Sequence, residues 1–349
     1  EDGIRDVAVT GVQTCALPIY LLYYSLIHLS RENITKPGII EQTIMQDCHD
    51  SEVSAEEFAD SKIVVLFLAE GHDADDIKPL TDRLQHSHFN RFMVVFNSVV
   101  DVDTLDYFAV SAKDWLIKGS HSWNLNQQFD FATIVPKNKF LCLMRRPSVS
   151  RAKLGQFLIE NIGLENVLMS FGSMSQFGLK GYRSYFPNHE LPILIDGLVS
   201  TGEMFYDMVY KPNFYSCVFN IIAESSSQSD EYVYRSIFLT EKTWKSVIQH
   251  QIPIWYGVPG LVRAVRSLGF DVFDDVIDHA YDYVEDETQR YKMVFDEIVR
   301  INKRYSLDQC HALRLQLKSR LENNYQHFRQ REALVIPQVK THIQKFINI

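Results

Sequence analysis

Two continuous runs of apolar residues stand out in the first half of the chain, with an amphipathic segment between them. Lys62–Ala69 has the sequence KIVVLFLA and Arg91–Val100 has the sequence RFMVVFNSVV, a pattern typical of strands that are covered on both faces. Asp76–Leu84 has the composition of a helix, so the three segments predict a parallel βαβ unit. The preceding segment, Tyr20–Cys48, is predicted to be helical, with a break at Ile34–Gly38.

The second half of the chain repeats this alternation. Strands are predicted at Lys139–Met144, Val167–Phe171, Phe214–Ala223 and Ile252–Tyr256. Helices are predicted at Val149–Ile162, at Glu190–Tyr210, after Thr240 and at Leu261–Leu268. Thr288–Ile349 is predicted to be almost continuous helix, with breaks near Ser306 and Pro337. The alternation predicts an α/β protein with two successive halves and a helical C-terminal tail.

The helix that follows Thr240 has the clearest chemical signal. Thr240 is a good N-cap residue, and the free N–H groups of a helix N-terminus attract anions. Lys242 adds a full positive charge where a phosphate would lie, and the Glu241 carboxylate is an acceptor suited to ribose hydroxyls. On these residues alone, the favoured interpretation is a solvated Lys242 and a Glu241 that complements the helix dipole.

The surrounding segments resemble a known family. LTEK at Leu239–Lys242, a helix, and then IPIWYGVPG at Ile252–Gly260 resemble the donor-binding segment of the α-1,3-fucosyltransferases, glycosyltransferase family ten. Phe219–Glu224 is similar to the family's apolar strand that ends in glutamate. Lys139–Cys142, followed by Arg151 at a helix start, is similar to its first donor-domain strand and phosphate-binding arginine. LGFDVFDDVIDHAYD, further along, resembles uncharacterised phage and marine bacterial relatives.

This resemblance implies a GT-B fold, in which two Rossmann-like domains face each other across a cleft. Residues 20–137 would form the acceptor-side α/β domain, 138–287 the nucleotide-sugar donor domain, and 288–349 the C-terminal helices. The implied activity is inverting, metal-independent transfer of a sugar to a glycan or glycolipid acceptor. The implied donor is a nucleotide-diphosphate sugar, with GDP-fucose as the specific expectation, and no further cofactor is needed. A glycolipid acceptor would bring the protein into peripheral contact with a membrane.

The resemblance also implies roles for individual residues. Arg151 and Lys242 would hold the diphosphate, Glu241 the ribose, and Glu224 another part of the donor. Further candidates for donor binding are Arg145, Arg146 and Gly257. For Glu224, a capping acid in a serine-rich loop fits as well; a surface pair fits Arg145 and Arg146, and a plain turn fits Gly257.

An inverting transfer needs a carboxylate that removes the acceptor hydroxyl proton. Glu70, which follows KIVVLFLA, is the first candidate for this base and Asp101 is the second, since ligands bind beyond the carboxyl ends of strands. A solvated loop acid is the alternative for each. Asp101 and Asp103 also form a D-x-D motif, which in GT-A glycosyltransferases holds a divalent metal against a diphosphate. A GT-A enzyme and a non-catalytic nucleotide-sugar-binding protein are therefore the rival hypotheses.

Composition narrows the class of protein. The chain has 349 residues, of which 46% are hydrophobic and 23% charged, with a net charge of −9, so nucleic acid is not the expected partner. Its five cysteines are scattered without a CxxC pair, which favours a reducing, cytoplasmic location. The apolar stretch Tyr20–Leu29 is too short to span a bilayer, so no transmembrane segment is predicted.

The first residues are set apart from the fold prediction. Glu1–Ile19, with the sequence EDGIRDVAVTGVQTCALPI, resembles the translation of a short-read sequencing adapter. We therefore expect residues 1–19 to be an artefact, and we expect the natural chain to have begun upstream of Tyr20 and to have lost part of its first domain.

Overall fold

A computed structural model of the chain describes residues 19–24, 63–68, 91–96, 109–111, 130–172, 178–194, 215–224, 237, 239 and 241–331. The chain divides into two compact units, one formed by Glu1–Ala112 with Val339–Ile349 and the other by Lys113–Gln338. Each unit contains a parallel four-stranded sheet, so the protein has an α/β fold.

The first sheet consists of strands in the order β1-β2-β3-β4. The strands are β1 (Ile19–Tyr24), β2 (Ile63–Leu68), β3 (Arg91–Phe96) and β4 (Ala109–Ser111). The parallel pairing of β2 with β3 confirms the predicted strands of the βαβ unit; the predicted helix between them lies outside the described residues. The helix predicted from Tyr20 is wrong where β1 lies. IYLLYY is rich in aromatic residues, which favour strands, and it pairs along its whole length with β2.

The second sheet has the strand order β6-β5-β7-β8, and all its pairs are parallel. The strands are β5 (Asn138–Met144), β6 (Val167–Phe171), β7 (Cys217–Ala223) and β8 (Ile252–Tyr256). All four predicted strands are confirmed. β7 begins after its predicted start because Tyr215 and Ser216 form a helical turn. Every residue of β7 and β8 is buried, as expected for strands covered on both faces.

Five α-helices belong to the described part of this unit. They are α1 (Val149–Asn161), α2 (Glu241–Ile248), α3 (Leu261–Ser267), α4 (Glu287–Arg304) and α5 (Leu307–Gln316). Residues 318–331 are also helical. A capping box at Ser306 begins α5, which confirms the predicted break in the tail; Pro337 lies outside the described residues. None of the described helices is long and apolar enough to cross a membrane.

Two local predictions have different outcomes. The helix predicted at Leu261–Leu268 is confirmed; it lies between Gly260 and Gly269, which both have φ of +89°, a conformation that favours glycine. The helix predicted over Glu190–Tyr210 is not formed at residues 190–194, where Ile193 makes an antiparallel bridge to Phe171. Pro192 lacks an N–H group and disfavours helix at the residue before it.

The core lies on both faces of the second sheet. Trp244, Val247 and Ile248 form the buried apolar face of α2, as their spacing predicts. On the other side, Tyr256 stacks on Tyr291 of α4 with ring centroids 4.0 Å apart. The aromatic residues of LTEKTW and IPIWY are therefore core residues.

Candidate functional site

The strand order of the second sheet places a topological switch point between β5 and β7. From β5 the chain passes through α1 to β6 on one side, and it later returns to β7 on the opposite side of β5. In open α/β sheets, the crevice beyond the carboxyl ends of the strands at such a point is the usual ligand site. The predicted residues Arg151, Glu224 and Lys242 all lie at this edge.

Arg151 connects the two strands that flank the switch point. It belongs to the first turn of α1, whose N-cap Ser148 accepts a hydrogen bond from the Arg151 N–H. Its side chain is only 3% exposed. Nη1 donates to the Arg146 carbonyl, which follows β5, at 2.9 Å, and Nη2 donates to the Ala223 carbonyl, at the end of β7, at 2.8 Å. The guanidinium thus fixes the shape of the edge and places a positive charge there.

Glu224 follows β7 directly and is 3% exposed. Its backbone N–H donates to the Tyr256 carbonyl at 3.1 Å. Its Oε1 accepts a hydrogen bond from the Thr243 hydroxyl at 2.8 Å, and the Thr243 oxygen in turn accepts one from the indole N–H of Trp255 at 3.1 Å. Sequence reasoning found Glu224 but missed Thr243 and Trp255, because neither is distinguishable from an ordinary core residue by pattern.

The contact between Thr243 and Glu224 brings the first turn of α2 to the same edge. Lys242 precedes Thr243 and is half-buried. Glu241 is the first residue of α2; its side chain lies outside the described residues, as does the predicted N-cap Thr240. Lys242 therefore lies in the first turn of a helix, as predicted, close to the end of β7.

The electrostatics of this edge favour an anion. A helix N-terminus carries a partial positive charge, and a cation placed there costs about 0.3–1 kcal/mol rather than stabilising the helix. Arg151 lies in the first turn of α1, which has no acidic residue in that turn, and Lys242 lies in the first turn of α2. Glu241 also lies in the first turn of α2 and complements the dipole of that helix. The features of this edge that suit a phosphate are therefore the N–H groups of the two helix starts and the basic residue in the first turn of each.

The remaining predicted donor residues lie around the same crevice. Arg145 and Arg146 directly follow β5 and are half-buried. Gly257 directly follows β8, is buried, and its carbonyl accepts a hydrogen bond from Nε of Arg290 at 2.8 Å. Arg290, on α4, is itself 1% exposed and was not predicted, since a lone arginine on an amphipathic helix carries no signal of burial.

One nearby thiol is not a nucleophile at neutral pH. Cys142 lies in β5 and is fully buried, and this burial raises its pKa to about 12 although the Arg151 charge acts in the opposite direction. A thiol that stays protonated is neither a metal ligand nor an attacking group.

The two candidates for the general base, Glu70 and Asp101, lie outside the described residues, as does Asp103, the second acid of the D-x-D motif. Among the residues that the structure describes, no group of three histidine, cysteine or acidic side chains could hold a metal ion.

Comparison with known proteins adds no further information about this site. No protein-family model, no curated protein and no solved structure matches the chain.

Proposed function

We propose that the protein is an inverting, metal-independent glycosyltransferase of the GT-B type, which transfers a sugar from a nucleotide-diphosphate donor to a glycan acceptor. One observation supports the proposal: two helix starts, each with a basic residue in its first turn, and a buried carboxyl group lie at the switch point of a parallel sheet. The helix starts can bind a phosphate, and the carboxyl group can accept hydrogen bonds from hydroxyl groups.

In this proposal each group at the edge has a defined task. Arg151 and Lys242 stabilise the negative charge that builds on the diphosphate as it leaves, Glu241 holds the ribose, and Glu224 contacts the donor. The carboxylate of Glu70 or Asp101 takes the proton of the acceptor hydroxyl as its oxygen attacks the anomeric carbon. The leaving diphosphate departs on the opposite face of the sugar, which inverts the anomeric configuration.

The resemblance to family ten makes fucose, supplied as GDP-fucose, the first donor to test. A thermal-shift screen against GDP, UDP, CMP and ADP tests the site before any acceptor is known, because a bound ligand raises the melting temperature by mass action. We expect GDP to give the largest increase. An unchanged melting temperature with all four nucleotides at millimolar concentration would refute the proposal.

The rival GT-A hypothesis depends on the D-x-D motif at Asp101 and Asp103. If the two cations at the sheet edge neutralise the diphosphate, EDTA leaves nucleotide binding and transfer unchanged. Loss of both on EDTA treatment, with recovery on addition of Mn²⁺, would favour the GT-A mechanism instead. A protein that binds GDP but neither transfers nor hydrolyses any sugar across a donor panel would fit the non-catalytic alternative.

A further inference from the structure

Glu224 is held by two residues that the proposed roles above do not use. The indole N–H of Trp255 donates to the Thr243 oxygen at 3.1 Å, and the Thr243 hydroxyl donates to Oε1 of Glu224 at 2.8 Å. We infer that Thr243 and Trp255 are positioning residues that hold the Glu224 carboxylate as an acceptor for a hydroxyl or amine hydrogen of the bound nucleotide. This inference rests on the proposed function and specifies one contact within it.

The two hydrogen bonds run in the same direction, from Trp255 to Glu224. An indole N–H can only donate, so the Thr243 oxygen accepts from Trp255. The Thr243 hydroxyl gives its single hydrogen to Oε1 of Glu224, which accepts it. We call this Trp255–Thr243–Glu224 arrangement the relay.

The relay is shielded from water. Thr243 is 0% exposed, Trp255 2% and Glu224 3%. In such an environment hydrogen bonds are stronger and consecutive bonds polarise one another, while a buried polar group that loses its partner is costly. Trp255 and Tyr256 are neighbours in β8, and the Tyr256 carbonyl accepts from the Glu224 N–H. The main chain of Glu224 is thus bonded directly to β8, and its side chain is bonded to α2 through Thr243, which Trp255 of β8 contacts in turn.

The hydrogen bonds of the relay end on Glu224 as an acceptor, which indicates the kind of ligand group that suits this carboxylate. An acceptor with negative charge repels phosphate and attracts hydrogen-bond donors. The diphosphate would then lie on the Lys242 side of the edge, and Glu224 would accept a hydrogen bond from another part of the nucleotide. Ribose hydroxyls and the N–H groups of guanine share this chemistry.

The test compares three substitutions on α2. Thr243→Val keeps the volume of the side chain but removes the hydroxyl, and Thr243→Ser keeps the hydroxyl. Ser246→Ala is the matched control, because Ser246 is also 0% exposed and donates from Oγ to the Thr243 carbonyl at 2.6 Å, so it loses a buried hydrogen bond in the same helix without touching Glu224. Affinity for GDP is measured by calorimetry, each variant alone and combined with Glu224→Gln.

We expect Thr243→Val to weaken GDP binding about ten-fold, the scale of one charge-assisted hydrogen bond, while Thr243→Ser and Ser246→Ala bind like the wild type. In the Glu224→Gln background, Thr243→Val should have no further effect, because the two changes remove the same contact. If Thr243→Val does not fold, Trp255→Phe, which removes the first donor, should weaken binding in the same Glu224-dependent way.

Two analogues of GDP identify the nucleotide group that donates a hydrogen bond to Glu224. The effect of Thr243→Val should disappear with 2′-deoxy-GDP if Glu224 holds the ribose, and with IDP if Glu224 holds the exocyclic amine of guanine. Wild-type protein that binds GDP while Thr243→Val binds it equally well would overturn the inference and leave the proposed function intact. Wild-type protein that binds no nucleotide would overturn the proposed function, and the inference with it.

Discussion

Two buried arginines connect the same pair of strands at opposite ends. Arg151 links the segment after β5 to the end of β7 through the carbonyls of Arg146 and Ala223. Arg314, on α5, links the segments that lead into these strands, through the carbonyls of Ile134 and Tyr215. Each side chain is almost fully buried. Both arginines therefore hold β5 and β7 in register.

The surroundings of the two arginines differ in charge. Arg151 lies at a helix start, close to Glu224 and to the first turn of α2. Arg314 lies in the last turn of α5, where a cation complements the helix dipole, and burial lowers its pKa to about 10. Both arginines stabilise the sheet through their hydrogen bonds, but only Arg151 lies at a helix start, where its charge opposes the helix dipole. This difference supports the function proposed for the carboxyl end.

The largest effects on stability and affinity are expected when each arginine is replaced in turn. Arg151→Met and Arg314→Met should each lower the free energy of unfolding by about 2–4 kcal/mol, because two buried carbonyl groups lose their donor. Urea denaturation measures this loss. Affinity for GDP, measured at low temperature where both variants are folded, should fall more than about ten-fold only for Arg151→Met. Equal affinity in the two variants would remove the functional distinction between the two ends.

An intermediate effect is expected from the two lysines of α2. Lys242→Ala should weaken GDP binding about ten-fold, because a positive charge leaves the proposed phosphate site. Lys245 lies in the last turn of the same helix and is the matched control. Lys245→Ala should slightly lower the melting temperature and leave the affinity unchanged. A Lys242→Ala variant with full affinity would contradict the role of the LTEK segment.

The smallest effect is expected in the pH dependence of stability, at the amino end of the second sheet. His250 is buried after α2 and stacks on Phe131; burial lowers its pKa, against the opposing effect of Glu322. The unfolded chain therefore binds a proton more readily than the folded one, so stability is complete above about pH 6.5 and falls as the pH drops below it.

Replacement of His250 should flatten this dependence. His250 has φ of 51°, which asparagine tolerates, so His250→Asn is the suitable substitution. Urea denaturation between pH 7 and pH 5 should show a shallower loss of stability in the variant. Part of the slope should persist, because burial also lowers the pKa of His279. An unchanged slope in His250→Asn would assign the pH dependence to other groups.

The sequence was sufficient to predict the features that depend on short-range signals. Strand ends and helix starts are visible in runs such as CVFNIIAE and LTEKTW. The expectation that Arg151, Glu224 and Lys242 act together came from the resemblance to family ten and not from these local signals. The pairing of β5 with β7, which brings Arg151 to Ala223, comes from residues far apart in the chain and leaves no local pattern.

The errors and omissions have the same origin. Thr243 and Trp255 occupy positions that apolar residues could fill, and only their mutual contact distinguishes them. The predicted helix at Tyr20 failed because pairing with β2 determines the conformation of an apolar run that is compatible with either structure.

The contacts that build this edge join residues far apart along the chain. Arg151 and Ala223 are separated by 72 positions, and the hydroxyl of Tyr256 reaches the carbonyl of Ser150 across 106 positions. Contacts at such separation form slowly during folding, since long loops must close first. A nascent chain on the ribosome could not assemble the crevice before β8 had emerged. Binding of the nucleotide would thus require that the whole second sheet has been synthesised, and a fragment ending before Ile252 should have no affinity for it.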